Sequence, residues 1–111
     1  MKVVEKDKLI NGMLHEELER CQDMVAFLEQ EIYNLPKGSL HVRKKQYKKK
    51  KYRYYYLKYR QGEKNISKHV PKHQIEDLKK ELQQRKKYEK ERKAYKERIK
   101  YLEAILKVKK L

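Results

Sequence analysis

The sequence is poor in the residues that link, stiffen or punctuate small proteins. Among 111 residues there are one cysteine, two prolines, three glycines, one phenylalanine and no tryptophan. The lone Cys21 excludes an intramolecular disulfide framework and any zinc site built on cysteine pairs. No apolar run approaches the roughly 20 residues of a membrane-spanning helix. The first eight residues carry acids and lack the apolar stretch of a secretory signal, so a cytoplasmic protein is the expectation. Leu, Ile, Val and Phe together make up only 25 of the 111 residues. That is just above the roughly 20% below which charged chains stay disordered. A large globular core cannot be assembled from this supply, whereas a helical hairpin needs only a narrow apolar seam.

Positive charge is what the chain has in excess: 32 Lys and Arg against 16 Asp and Glu, a net charge of +16. Such a balance predicts an acidic partner, with nucleic acid ahead of an anionic protein groove and a membrane surface last. The charge is unevenly placed. Residues 1–36 hold 4 basic and 8 acidic residues, residues 37–72 hold 14 basic residues against Glu63 alone, and residues 73–111 hold 14 and 7.

Within the first part, Leu14, Leu18, Cys21, Val25, Leu28, Ile32 and Leu35 alternate spacings of four and three, the seam of a coiled-coil helix. Asn11-Gly12 interrupts this pattern and predicts a frayed or kinked extension over residues 2–10. Pro36-Lys37-Gly38 ends the helix. The period then changes. Leu40 and Val42 alternate with polar residues, and the tyrosine-rich run 52–60 is full of strand formers. Gln61-Gly62-Glu63-Lys64 reads as a turn, and Asn65–Val70 as a returning strand. Three antiparallel strands are expected at roughly 39–45, 52–60 and 65–70, with 46–51 a turn or an extension of the hairpin.

Pro71 suits the first turn of a second helix, on which Ile75, Leu78, Leu82, Tyr95, Ile99, Leu102 and Leu106 keep a seam. The expected fold is α+β and mostly α: a long antiparallel helical hairpin with a small three-stranded antiparallel sheet inserted between its helices. Its segments are helix 1–36, a basic tyrosine-rich sheet module 37–70 and helix 71–111, in one structural domain. Leu28, Ile32 and Leu35 are expected to lie against Ile75, Leu78 and Leu82. Met24, Phe27 and Ile105 flank the seams, and a homodimer closing a four-helix bundle would cover them.

The central patch carries the functional signal. Arg43, Lys44, Lys45, Lys48, Lys49, Lys50, Lys51, Arg53, Lys58, Arg60, Lys64 and Lys68 crowd one short stretch, and side chains of this kind bind phosphates by releasing counterions. Tyrosines are interleaved with them. Strand alternation places Tyr52, Tyr54, Tyr56, Lys58 and Arg60 on one face and Arg53, Tyr55, Leu57 and Tyr59 on the other. The Leu57 face, with Leu40, Val42 and Ile66 or Val70, is the candidate core. The Tyr54, Tyr56 face is then open to stack unpaired bases or to enter a major groove. Lysines hold phosphates in this reading, while Arg53 and Arg60 with Tyr54 and Tyr56 contact bases. Lysines on the second helix, Lys79, Lys86, Lys90, Lys93 and Lys100, either extend that track or form a solvated face.

Gly38-Ser39-Leu40, Tyr54-Tyr55-Tyr56-Leu57, Tyr59-Arg60, Gly62-Glu63-Lys64 and Ser67-Lys68-His69-Val70 together resemble an uncharacterised family of small prokaryotic and phage proteins. The resemblance covers about residues 35–105 and implies a phage or mobile-element context. The same stretch is similar to the three-stranded arm-binding domain of phage and transposon integrases. The Gly-Ser opening, the aromatic central strand and the Arg60, Gly62, Lys64 turn carry that likeness. It implies a sheet inserted into a DNA major groove. No recombinase domain accompanies it, so only the binding mode transfers. In size and architecture the chain also resembles small phage inhibitors of host nucleases, anti-CRISPR proteins among them.

His69 and His73 are separated by Pro71 and have no cysteine or carboxylate at ligand spacing, which argues against a metal centre. Cys21 occupies a seam position, and no glycine-rich phosphate loop is present. The expectation is a non-enzymatic nucleic-acid-binding protein of DNA or RNA, without cofactor, metal or membrane. The alternative is an inhibitor or adaptor that binds a host nucleic-acid enzyme through the same basic face.

Overall fold

The computed structural model describes residues 3–106. Helix α1 (Val3–Asn34) is followed by strands β1 (Ser39–Tyr47), β2 (Lys50–Gln61) and β3 (Lys64–Val70), a 3₁₀ turn (Lys72–Gln74) and helix α2 (Ile75–Leu106). The fold is α+β and mostly helical, with a three-stranded antiparallel sheet between two helices in the chain. Helix α1 is continuous through Asn11 and Gly12 and includes residues 3–10, where a frayed or kinked extension was expected. A single interior glycine costs a helix only about 1 kcal/mol. Pro71 begins the 3₁₀ turn, where Gln74 N–H donates to its carbonyl at 3.0 Å, and α2 starts only at Ile75.

The chain divides into two compact units. One comprises residues 33–87: the end of α1, the whole sheet and the first turns of α2. The sheet has the order β1-β2-β3. Leu40 faces Leu57 across β1 and β2, and Tyr55 faces Val70 across β2 and β3. Facing residues share one side of a pleated sheet. Leu57 and Val70 on that side are buried with Ile75 and Leu82 of α2, and Leu40, Tyr55, Tyr59 and Leu78 pack against them. Val42 shares the face but is exposed, because the helix covers only the base of the sheet.

Ile75, Leu78 and Leu82 of α2 pack on this sheet face. A broad apolar sheet face removes more surface from water than a narrow seam. Leu35, which was expected beside these three residues, lines a groove with Leu57, Val70 and Leu78. Its carbonyl accepts a 2.7 Å hydrogen bond from Arg85, which satisfies the chain just past the end of α1.

The second unit contains residues 3–32 and 88–106 among those described. Cys21, Leu28, Ile32, Leu102 and Leu106 are buried there, and Leu14, Leu18, Val25, Tyr95 and Ile99 are half-buried. Phe27 and Ile105 are exposed. The helices are tied by Glu17 to Arg98 at 3.2 Å, Glu29 to Lys96 at 3.3 Å, and Arg20 stacked 5.8 Å from the Tyr95 ring centroid. The Arg20 hydrogen bond, aided by Cys21 and by the charges of Arg20 and Arg98, holds the Glu17 carboxyl down at about 2. Burial pushes the Cys21 thiol up, and Glu17 accepts its hydrogen at 3.4 Å, so the thiolate is disfavoured.

Candidate nucleic-acid interface

Residues 33–87 carry 19 basic and 4 acidic residues, so +15 of the net +16 lies in the unit that contains the sheet. The sheet sorts these charges. Ser39, His41, Arg43, Lys45 and Tyr47 of β1 oppose Lys58, Tyr56, Tyr54, Tyr52 and Lys50 of β2. His69, Ser67 and Asn65 of β3 oppose Tyr56, Lys58 and Arg60. All of these lie on the side away from Leu57. Seven of the residues singled out from the sequence are therefore together on the open face: Arg43, Lys45, Lys50, Tyr54, Tyr56, Lys58 and Arg60.

Lys48 and Lys49 form the β1–β2 turn. Lys44, Lys51, Arg53, Lys64 and Lys68 lie on the opposite face, Lys68 directly across from Leu57. Arg53, grouped with Tyr54 and Tyr56 in the sequence reading, lies on the opposite face from them. Alternation along β2 turns it the other way. On the helical side, Lys79 lies 5.9 Å from the Tyr55 ring centroid and 3.9 Å from Glu76, next to the core.

The tyrosines of the open face are already in use. The Arg43 guanidinium stands 5.4 Å from the Tyr56 centroid and the Lys45 ammonium 5.5 Å from that of Tyr54. Each cation reaches diagonally to the ring two residues beyond its direct partner, giving contacts of about 0.5–1 kcal/mol at exposed sites. His69 packs edge-on to Tyr56 at 5.7 Å and tilted to Tyr54 at 6.4 Å. Tyr54 and Tyr56 are half-buried as a result, whereas Tyr47 and Tyr52 on the same face are exposed. Tyr47, with the Lys48 ammonium 5.4 Å from its centroid, and Tyr52, 6.4 Å from Tyr54, are the more exposed rings of this face, and both were left out of the site residues named from the sequence. The register of 46–51 is the signal that would have added them.

β1 and β2 continue past the end of β3 as a two-stranded ribbon. Pairing with β3 stops at Tyr55, while pairing with β1 runs on to Tyr47 and Lys50. Segment 46–51 is thus an extension of the hairpin, closed by Lys48 at φ 48 and Lys49 at φ 66. Positive φ at both central residues is the type I′ pattern that suits a hairpin twist and that lysine adopts reluctantly. The other turn is cheaper, with Gly62 at φ 61 in its first central position.

These features define a class: a small α+β protein in which two helices flank a basic three-stranded sheet with one face open. Residues 14–80 match the domain of unknown function DUF6788, more than half of the chain, and the protein belongs to that family. The matched region includes the complete sheet. No curated protein and no solved structure matches the chain.

Proposed function

We propose that the protein is a non-enzymatic nucleic-acid-binding module that docks its open sheet face and β1–β2 ribbon against the phosphate backbone. One observation carries this reading: Arg43 and Lys45 braced on the Tyr56 and Tyr54 rings, on the face opposite the core. Braced side chains lose less freedom when they bind, and a row of them supplies counterion release in a fixed geometry. A two-stranded ribbon also has the width that a B-form major groove, about 12 Å across, admits. The integrase-like binding mode and a phage or mobile-element setting belong to this same proposal.

The test is fluorescence anisotropy of the intact protein with equal-length duplex DNA, single-stranded DNA and hairpin RNA. We expect duplex DNA to bind at least tenfold tighter than the others. Between 50 and 200 mM salt its affinity should fall about a thousandfold, as for six phosphate contacts. Equal and weak binding to all three would overturn the proposal and favour a protein partner, such as the acidic surface of a nucleic-acid enzyme.

A further inference from the structure

On the open face, Arg43, Lys58, Arg60, Asn65 and Ser67 border one shallow depression together with Tyr59 and Ile66. The register explains why they meet. Lys58 is paired with Ser67 and Arg60 with Asn65, so two cations on β2 stand beside two neutral donors on β3. Arg43 closes the third side by leaning over Tyr56, the neighbour of Lys58 on that face. No carboxylate lines the depression.

Both guanidinium groups are held before any ligand arrives. Arg60 donates through Nε to the Gly62 carbonyl at 3.1 Å, in the tight turn that follows β2. An arginine has five N–H donors in a rigid fork, so this tether leaves four for a ligand. Arg43 is positioned by its guanidinium over the Tyr56 ring, 5.4 Å from the centroid.

We infer that this depression is a receptor for one phosphate group of a nucleic-acid backbone, with Arg43, Lys58 and Arg60 as cations and Asn65 and Ser67 as neutral donors. The inference rests on the nucleic-acid reading and names where the backbone is registered. Three cations and two neutral donors, with no carboxylate among them, suit a phosphodiester, whose two charged non-bridging oxygens each accept more than one hydrogen bond. The site also sets a length. Lys58 and Tyr52 lie six residues apart on one strand face, about 20 Å at the rise of a strand. A ligand must span that distance to engage both the receptor and the exposed rings of the ribbon.

Two measurements on the full chain test this. In the first, amide NMR spectra are followed as inorganic phosphate is added. The amides of Lys58–Arg60 and Asn65–Ser67 are expected to shift, and Arg60→Gln is expected to abolish the response while leaving the spectrum of the folded protein otherwise intact. In the second, affinity for a duplex 20-mer is compared among variants that each remove one charge. Arg43→Gln and Arg60→Gln are expected to weaken binding by about tenfold, as for a lost charge-assisted hydrogen bond. Lys44→Gln and Lys68→Gln, on the opposite face, are expected to weaken it less than threefold.

Equal losses for all four variants would overturn the receptor while leaving nucleic-acid binding in place, because charge alone would then account for affinity. Phosphate shifts scattered over the ribbon lysines would overturn it too. Localised shifts without any binding of the 20-mer would uphold the phosphate site and overturn nucleic acid as its source.

Discussion

Gly38 holds φ at +120, and a Cβ placed on it would run into the Lys58 carbonyl oxygen and Tyr59 Cβ. It is the hinge through which the chain enters β1 flush against β2. We expect Gly38→Ala to lower the free energy of unfolding by about 1–3 kcal/mol, read as a reduced urea midpoint at unchanged slope. The Gly-Ser-Leu opening was visible in the sequence only as a pattern, since a close backbone approach leaves no trace in residue types. The tyrosines were partly legible in the same way. Alternation placed Tyr54 and Tyr56 on the open face, but their cover by Arg43, Lys45 and His69 depends on a register that no single strand encodes.

The β1–β2 ribbon carries an opposition that works against its own stability. Lys44 directly faces Arg53 on the side away from Tyr54 and Tyr56, and like charges in direct cross-strand pairs repel. Replacing one should relieve this. Lys44→Glu is expected to stabilise the protein by about 0.2–1 kcal/mol through a cross-strand ion pair, with a much smaller effect on duplex DNA binding than a substitution on the open face. Thermal melts and anisotropy on one preparation check both halves, and a loss of affinity as large as that of Arg43→Gln would bring Lys44 into the interface. The ribbon was also the hardest element to read. Lysine is a poor strand former, and Lys48-Lys49 lacks the Asn or Gly that announces a type I′ turn. Pairing with the aromatic strand β2 overrides both.

In the molecule as a whole, charge and structural ties are kept in separate places. The unit holding the sheet has a net charge of +15 and the other +1, and the Glu17 cluster with Arg20 and Arg98 lies in the second. Glu17 is held at about 2, below its ordinary 4.5, so its ionised form is favoured by folding. Its contribution to stability is complete above pH 4.5 and lost as pH falls toward 2. Glu17→Gln should therefore be less stable than the parent at neutral pH, with the gap in urea midpoint closing between those two values. Its affinity for duplex DNA should be unchanged. Much of the plan was legible beforehand: the helix–sheet–helix order, the side of the sheet that is buried, and Cys21, Leu28 and Ile32 as buried positions of α1. That the first turns of α2 pack on the sheet was not, because a helix seam and a sheet face take the same apolar residues.

The Lys48–Lys49 turn has one more consequence, for how the chain is cut. Four consecutive lysines, Lys48 to Lys51, sit exposed around a two-residue turn whose backbone is already in an unfavourable conformation. Exposed tips are where proteases enter folded domains, and trypsin cleaves after lysine. A nick there would sever β1 from β2 at the end of the ribbon without breaking either strand's pairing at the base of the sheet. Any ligand lying along the ribbon would shield the same four bonds. The order in which these bonds disappear under trypsin is thus a direct report of whether the arm is occupied.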